Sequence, residues 1–275
     1  MFLEYSPVIF SIGGFEFRWY SLFILIAFCT AYYIVVNETS RFRISKDFIF
    51  NLAFWVFIFG VIGARVWYVA FNYKDYITNP IDIIKIWEGG LAIHGGIVAG
   101  LLVLLEFCRK YKFRLIRLTD FIAPALLIAQ AIGRWGNFFN AEAYGLKTTA
   151  ETLSKYFIPD FIVTGMTING VVYTPTFLFE SAACLVLFIL IMIVRRSKYL
   201  KVGSLTAFYL IGYGTIRFLI EFQRLDALKI GGIRVAQVVS TLFFIIGLSI
   251  LVSNSKKSKL DDLYNDTQNV PDLKF

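Results

Sequence analysis

Long apolar runs alternate with short polar segments along this chain. Seven of these runs are each close to the ~20 residues that an α-helix needs to cross ~30 Å of hydrocarbon. They cover residues 19–36, 50–71, 91–108, 118–135, 176–194, 204–221 and 233–252. The pattern therefore predicts an all-α polytopic membrane protein with about seven transmembrane helices. An earlier amphipathic stretch, residues 2–17, is expected to lie in the membrane interface.

The polar segments predict which side of the membrane each loop faces. The first, third and fifth loops and the C-terminal tail together hold sixteen Lys and Arg residues, against seven in the segments on the opposite side. Because short cytoplasmic loops are enriched in Lys and Arg, this bias predicts an outer N terminus and a cytoplasmic C terminus. Residues 1–253 are predicted to form the integral membrane domain, and residues 254–275 a cytoplasmic, loosely ordered polar tail.

The segment between the fourth and fifth spans, residues 136–175, is the only predicted loop on the outer side long enough to form a small extramembrane cap. Within it, residues 164–173 show the alternation of a short β-hairpin, with Asn169 and Gly170 at the turn. A small extracytoplasmic cap is therefore expected there.

Composition agrees with a membrane protein and narrows the possible partners. The 275 residues are 58% hydrophobic and their mean hydropathy is +0.68, which is too apolar for a soluble domain of this size. The net charge of +8 could suggest nucleic acid, but the basic residues lie in short loops, so we expect no nucleic-acid partner. Cys29, Cys108 and Cys184 lie in or beside apolar segments without CxxC spacing, which argues against a disulfide framework or a metal cluster.

Residues 133–145, GRWGNFFNAEAYG, are the stretch richest in candidate chemistry. Four polar residues interrupt its glycines and aromatics, namely Arg134, Asn137, Asn140 and Glu142. A charge at the edge of hydrocarbon is costly and is usually kept for a partner, and the planar guanidinium group suits phosphate or carboxylate. We interpret the stretch as the floor of an active site at a membrane face. Taken alone, it also fits a helix end with interfacial aromatics and one snorkelling arginine.

The predicted topology brings most of the polar residues of the spans to the outer leaflet. These residues are Tyr20, Arg65, His94, Arg134, Glu180, Arg217, Glu221 and Arg234. Several arginines and one histidine at this depth would form a cradle for an anionic head group, and a lipid phosphate fits by charge and position. Arg217 and Glu221 are four residues apart and share a helix face, so they form either a structural ion pair or part of the catalytic group.

Residues 133–145 closely resemble the signature of the bacterial prolipoprotein diacylglyceryl transferases. Shorter stretches resemble other motifs of that family: RWY at 18–20, GAR at 63–65 followed by Tyr68, GGLAIHGG at 89–96 and RFLIEFQR at 217–224. The resemblance runs from residue 18 to about residue 237, which is most of the chain. The thirteen-residue signature is specific, whereas the shorter matches would be weak by themselves.

The resemblance implies an enzyme of the bacterial cytoplasmic (inner) membrane with its active site toward the outer leaflet. This family moves the diacylglyceryl group of phosphatidylglycerol onto the lipobox cysteine thiol of a preprolipoprotein, which forms a thioether and releases glycerol 1-phosphate. The expected partners are therefore phosphatidylglycerol, the lipobox segment of the signal peptide and membrane lipids, and no metal or organic cofactor is implied. The alternatives are an anion or lipid transporter and a lipid-binding membrane protein without transferase chemistry.

The resemblance also implies roles for particular residues. Arg134 and Arg217 are expected to bind the phosphate and stabilise it as it departs, and Tyr20 is expected to donate a hydrogen bond. His94 and Glu142 are the two candidates to take the thiol proton, although His94 beside two glycines also fits a purely structural role. The residues expected to bind or position substrate are Arg134, Asn137, Asn140, Gly145, Arg65, Glu221 and Arg234.

One segment departs from the family pattern. The family has a His-Pro pair and a following Gln before the fifth span, whereas this chain has TPTFLFE at 174–180. Pro175 and Glu180 match, but the histidine and the glutamine are absent. We therefore expect no catalytic residue in this segment and interpret Glu180 as a brace of the helix bundle.

Overall fold

The computed structural model describes residues 6–13 and 15–268, and these residues are mostly helical. The α-helices are α1 (Trp19–Ser40), α2 (Lys46–Phe71), α3 (Tyr73–Tyr76), α4 (Ile93–Lys110), α5 (Leu115–Phe139), α6 (Ala150–Lys155), α7 (Asp160–Gly165), α8 (Thr176–Val194), α9 (Ser204–Glu221) and α10 (Val235–Ser255). Two 3-10 helices, Pro80–Ile84 and Ile86–Glu88, precede α4. The short strands are β1 (Val8–Ile12), β2 (Phe15–Arg18), β3 (Lys147–Thr148), β4 (Thr167–Ile168), β5 (Val171–Tyr173), β6 (Lys229–Ile230) and β7 (Ile233–Arg234).

Five helices among the described residues are long and apolar enough to cross a membrane, namely α1, α2, α5, α8 and α10. The prediction of an all-α polytopic membrane protein is confirmed in a coarser form, because the described residues are mostly helical but also form short strands. Helices α4 and α9 have 18 residues each but are more polar, since α4 ends in Arg109 and Lys110 and α9 carries Arg217 and Glu221. The count of seven spans and their orientation therefore stay predictions.

The described residues form two compact units. The first contains the described residues up to Val35 together with Thr119–Asp266, and the second contains Val36–Leu118 and residues 267–268. In the first unit, small residues bring α9 and α10 into backbone contact. A Cβ atom on Gly214 would lie 2.9 Å from the Ser240 carbonyl oxygen, so only glycine allows this approach.

The second unit is built around the crossing of α2 and α4. A Cβ atom on Gly63 would lie 2.6 Å from the carbonyl oxygen of Gly95, and a Cβ atom on Gly95 would overlap the carbonyl group of Gly63. The backbones of the two helices touch at this point, as in membrane helix pairs that pack through small residues. The glycines around His94 therefore have a packing role in addition to any role in chemistry.

The segment between α5 and α8 folds into a small sheet with two short helices. Its strands lie in the order β3-β5-β4, and Ile168 is paired with Val171. The turn residues Asn169 and Gly170 both have positive φ, 52° and 76°, as a two-residue hairpin turn requires. The predicted hairpin is confirmed. The side of the membrane on which this segment lies stays a prediction.

A second hairpin precedes α1. Strands β1 and β2 pair antiparallel, and the rings of Phe10 and Phe17 stack with centroids 4.5 Å apart. Ile12 and Phe17 are exposed, which suits a position in the membrane interface. Residues 2–5 and residue 14 of the predicted interfacial stretch lie outside the described residues.

The beginning of the C-terminal tail is packed against the chain that connects α8 and α9. The backbone N–H of Tyr264 donates to the backbone carbonyl of Leu200 at 2.7 Å, and the backbone N–H of Val202 donates to the backbone carbonyl of Asp262 at 2.9 Å. The Tyr264 side chain is fully buried, with its ring 6.0 Å from that of Phe121. The prediction of a loosely ordered tail is wrong for this part, because backbone pairing and one buried aromatic hold an otherwise polar segment. Residues 269–275 lie outside the described residues.

Candidate active site

Two arginines from different helices meet at one buried carboxylate. Nη2 of Arg134 on α5 donates to Oε1 of Glu180 on α8 at 2.7 Å. Nη1 of Arg217 on α9 lies 3.5 Å from the other carboxylate oxygen, Oε2. Glu180 is only 2% exposed, so water hardly reaches the group that the two guanidinium groups share. The two arginines are therefore close enough to act on one anion.

A further series of contacts connects Arg134 to Glu142. Nη1 of Arg134 donates to Oδ1 of Asn137 at 3.3 Å, and Nδ2 of Asn137 donates to Oε1 of Glu142 at 2.9 Å. Helix α5 continues beyond the predicted span, which ends at Trp135, as far as Phe139. Residues three apart on a helix are neighbours on its surface, so the longer helix places Arg134 and Asn137 side by side.

Glu142 lies in a turn with an uncommon backbone conformation. Ala141 and Ala143 have φ of 50° and 59°, in the left-handed region that alanine rarely adopts. Two hydrogen bonds fix the turn: the N–H of Glu142 donates to the Asn137 carbonyl at 3.1 Å, and the Thr176 hydroxyl donates to the Ala143 carbonyl at 2.6 Å. Such strain costs of order 1 kcal/mol or more per residue and persists where the surroundings determine it. The strained turn keeps Glu142 beside Asn137.

Arg217 has a second acidic partner on its own helix. Its Nη2 lies 2.7 Å from Oε2 of Glu221, which is 1% exposed. The backbone carbonyl of Glu221 accepts a hydrogen bond of 2.6 Å from Nη1 of Arg234, whose guanidinium group lies over the Phe222 ring at 5.7 Å. We refer to Arg134, Arg217, Arg234, Glu142, Glu180 and Glu221, with Asn137, as the arginine–glutamate cluster. Three guanidinium groups balance three carboxylates in this cluster when all six are ionised.

Three buried atoms in or beside the cluster lack a hydrogen-bond partner among the described residues. They are Nη1 of Arg217, Oδ1 of Asn140 and Oε2 of Glu221, the last of which has only the ion-pair contact with Arg217. Buried polar groups are nearly always paired, so atoms of this kind need an explanation. The first is a donor suited to a phosphate oxygen, and the second is an acceptor suited to a hydroxyl group.

Tyr20 is held against the same helix by a glycine. A Cβ atom on Gly136 would lie 2.9 Å from Cδ2 of Tyr20, so α1 and α5 approach closely at this point. The structure therefore places Tyr20 against the helix that carries Arg134 and Asn137.

Gly145 is needed for close packing after the turn. Its N–H donates to the Thr174 carbonyl at 2.9 Å, and a Cβ atom there would lie 2.8 Å from Cγ2 of Thr176. Gly145 also forms a β-bridge with Arg224.

The Arg224 guanidinium group donates to both carboxylate oxygens of Asp226, at 2.9 and 2.6 Å, and these bonds hold the pKa of that carboxyl below its usual range.

Arg65 and His94 belong to the second unit. Arg65 is 7% exposed and donates four hydrogen bonds to the backbone carbonyl groups of Asp82, Ile83, Gly89 and Gly90, at 2.6 to 2.9 Å. This geometry makes Arg65 a brace for the segment before α4. A direct role in substrate binding would require it to give up some of these bonds. His94 is exposed at the second position of α4.

Comparison with known proteins gives a match over nearly the whole chain. The family model described as "Prolipoprotein diacylglyceryl transferase" matches residues 7–253. The chain belongs to the prolipoprotein diacylglyceryl transferase family. The family inferred from the sequence motifs is thus confirmed, and with it the enzyme class of transferase.

Relatives in this family cover almost the same length. A protein of Streptococcus suis (strain 05ZYH33) is 41% identical over 259 residues, which is 94% of this chain and 96% of the relative. A protein of Listeria monocytogenes serotype 4b (strain CLIP80459) is 39% identical over 92% of this chain and 91% of the relative. One of Staphylococcus saprophyticus is 38% identical over the same shares. Each is named phosphatidylglycerol–prolipoprotein diacylglyceryl transferase.

Glu180 has partners that sequence reasoning does not identify. Two family residues near it are absent, so sequence analysis leaves it outside the site, yet the structure puts it between Arg134 and Arg217. The Tyr213 hydroxyl also points at it, 3.4 Å from Oε1. A signal was available, because a lone acid inside an apolar span is costly unless a cation pairs with it.

Proposed function

We propose that this chain transfers the diacylglyceryl group of phosphatidylglycerol to the lipobox cysteine thiol of a preprolipoprotein, in the first step of lipoprotein maturation. The observation that carries the proposal for the site is the convergence of Arg134 and Arg217 on one buried carboxylate. Two guanidinium groups placed to share one anion suit a phosphate diester, because its oxygens accept hydrogen bonds from more than one guanidinium group.

The reaction exchanges one carbon–oxygen bond for one carbon–sulfur bond. The cysteine sulfur attacks the diacylglyceryl carbon that carries the phosphate, and the bond between that carbon and the phosphate oxygen breaks. Glycerol 1-phosphate leaves with the electron pair, and the product is a thioether. Negative charge develops on the leaving phosphate, so fixed guanidinium groups beside it stabilise the transition state more than the ground state.

The proton of the thiol passes to a base on the protein and is available to the departing phosphate. His94 and Glu142 are the two candidates for this base. Glu142 already accepts a hydrogen bond from Asn137, which ties it to Arg134. The imidazole of His94 is the other group able to accept a proton.

Other residues of the cluster orient the lipid head group in this proposal. Oδ1 of Asn140, which is buried and unpaired within the described part of the chain, accepts from a glycerol hydroxyl. Tyr20 donates to the head group. Glu221 and Arg234 hold Arg217 and the end of α9 in place.

The chain lies in the bacterial cytoplasmic membrane in this proposal. Helices α4 and α9 complete seven spans, with the N terminus and the segment between α5 and α8 outside and the C terminus in the cytoplasm. The distribution of Lys and Arg supports this orientation, because short cytoplasmic loops are rich in both. The arginine–glutamate cluster then faces the outer leaflet, where phosphatidylglycerol and the lipobox segment meet.

A transfer assay with defined substrates tests the proposed function. Purified protein in mixed micelles is incubated with phosphatidylglycerol and a peptide that contains a lipobox cysteine, and the peptide mass is measured. We expect a gain of one diacylglyceryl group and release of glycerol phosphate. A peptide with serine in place of the cysteine is the control and should stay unmodified. Phosphatidylglycerol binding without any mass gain would favour a lipid-binding protein or transporter instead.

A further inference from the structure

Glu180 is contacted by three polar side chains from two other helices. Arg134 contacts Oε1 at 2.7 Å, Tyr213 contacts the same oxygen at 3.4 Å, and Arg217 lies 3.5 Å from Oε2. The carboxylate therefore occupies the space toward which both arginines point. A bridging carboxylate and a bridging phosphate need the same donors, so the two compete for them.

The contact with Arg217 is the weaker of the two. Its distance of 3.5 Å exceeds the normal range for a hydrogen bond between nitrogen and oxygen, and Nη1 of Arg217 is buried without a hydrogen bond among the described residues. Arg217 is nevertheless fixed on its other side by Glu221 at 2.7 Å. The guanidinium group is thus held in position with one donor still to be satisfied.

We propose that Glu180 is a positioning residue that takes the place of the substrate phosphate while the site is empty and competes with glycerol phosphate after transfer. This inference rests on the proposed function and concerns the same site. While the site is empty, the carboxylate keeps two buried guanidinium groups paired and aligned. After transfer, it offers the arginines another anion and so promotes release of the product.

Removal of the Glu180 charge should therefore strengthen the binding of the product. In Glu180→Gln, the side chain keeps its shape but the two arginines lose their shared negative partner. An added phosphate supplies a negative charge in its place. We expect glycerol 1-phosphate to bind at least about tenfold more tightly than to the unchanged protein. We also expect turnover to fall and the KM for phosphatidylglycerol to fall with it, because anion binding improves while release slows.

Binding is measured on the purified full-length protein in detergent, with glycerol 1-phosphate as the probe. Calorimetry gives the affinity, and the rise of Tm with ligand concentration gives an independent readout. The matched control is Asp120→Asn, which neutralises another buried acid of the same unit, one that accepts from the backbone N–H groups of Gly203 and Thr206. The control should lower Tm but leave the affinity for glycerol 1-phosphate unchanged.

A purely structural brace predicts a different result. Glu180→Gln would then lower Tm and leave glycerol phosphate binding unchanged or weaker, which would overturn the inference. If Glu180→Gln does not fold, Glu180→Asp keeps the charge but is too short to reach both arginines, and it should bind the product more tightly than the unchanged protein. Equal or weaker binding in that variant also overturns the inference.

Failure of the inference and failure of the proposed function are distinguishable, since the binding measurement needs no turnover. Transfer by the unchanged protein without tighter binding in the variants overturns only the role of Glu180. Tighter binding in the variants without transfer by the unchanged protein shows only that Glu180 competes with a phosphate for the arginines, and it contradicts the proposed function.

Discussion

Nη2 of Arg134 lies 2.7 Å from Oε1 of Glu180, and this contact joins residues 46 positions apart in the chain. Both side chains are largely shielded from water, with exposures of 19% and 2%. Buried ion pairs add little net stability, because desolvation offsets much of the attraction. We therefore propose a functional role for the pair, which aligns a guanidinium group for the phosphate ester of the proposed reaction.

Asn137 connects Arg134 to Glu142, and its substitution by aspartate tests that connection. Asn137→Asp still accepts from Arg134 but cannot donate to Glu142, and it places a second negative charge beside that carboxylate. We expect kcat to fall about 100-fold with little change in Tm. Transfer rates and melting curves measure the two effects. Asp226→Asn, which removes the exposed ion-pair partner of Arg224, serves as the control. Equal rates for the two variants would refute the connection.

Substitution of Arg65 tests whether this residue has a structural role or binds substrate. Arg65→Ala removes four hydrogen bonds to the backbone of residues 82–90, so this segment should become more mobile. We expect amide hydrogen exchange in residues 79–92 to accelerate at least about tenfold. Lys85→Ala, which removes one ion pair with Asp82 in the same segment, should change exchange only slightly. Unchanged exchange in Arg65→Ala, combined with weaker lipid binding, would favour the direct ligand role instead.

The sequence predicts the bounds of the helices better than it predicts contacts between distant residues. The bounds of α8 and α9 agree with the predicted spans at 176–194 and 204–221, because each is an apolar run that begins directly after a breaker, Pro175 or Gly203. Helix α5 extends past its predicted span, since polar residues in its last turns resemble a loop. Local patterns report helix ends better than they report partners distant in sequence.

Residue roles that depend on distant partners are the part that sequence could not supply. The acceptors of Arg65 lie 17 to 25 positions later, in carbonyl groups that any residue type provides. Glu180 meets its arginines only after α5, α8 and α9 have packed together. The polar side chains within 133–145 are identifiable from the sequence because they interrupt an apolar run. Their hydrogen bonds and ion pairs are visible only in the structure.

The α2–α4 crossing predicts a difference between two glycines of the same helix. Gly95→Ala forces a methyl group into the backbone of α2, whereas a Cβ atom on Gly100 would meet Val56 Cγ1 at an ordinary 3.6 Å. We expect Gly95→Ala to lower the free energy of unfolding by about 1–3 kcal/mol or more, and Gly100→Ala to be nearly neutral. Thermal melting in detergent compares them. Equal Tm values would show that the close crossing does not form.

The docked part of the C-terminal tail should contribute to stability through Tyr264. The side chain is fully buried, so Tyr264→Ala removes a large aromatic group and should cost about 3–5 kcal/mol. Tyr264→Phe keeps the ring and serves as the matched variant, with a much smaller effect. Chemical unfolding followed by tryptophan fluorescence measures both. A Tyr264→Ala protein as stable as Tyr264→Phe would mean that the tail is not docked in solution.

The central claim is that the paired guanidinium groups of Arg134 and Arg217 hold the phosphate of the lipid during transfer. The most direct measurement is the initial rate of diacylglyceryl transfer to a cysteine peptide by Arg134→Lys and Arg217→Lys, each at saturating phosphatidylglycerol. Lysine keeps the charge but loses the planar fork of donors, so we expect each variant to lose at least about 100-fold in kcat while remaining folded. Rates within twofold of the unchanged protein for both variants would contradict the claim.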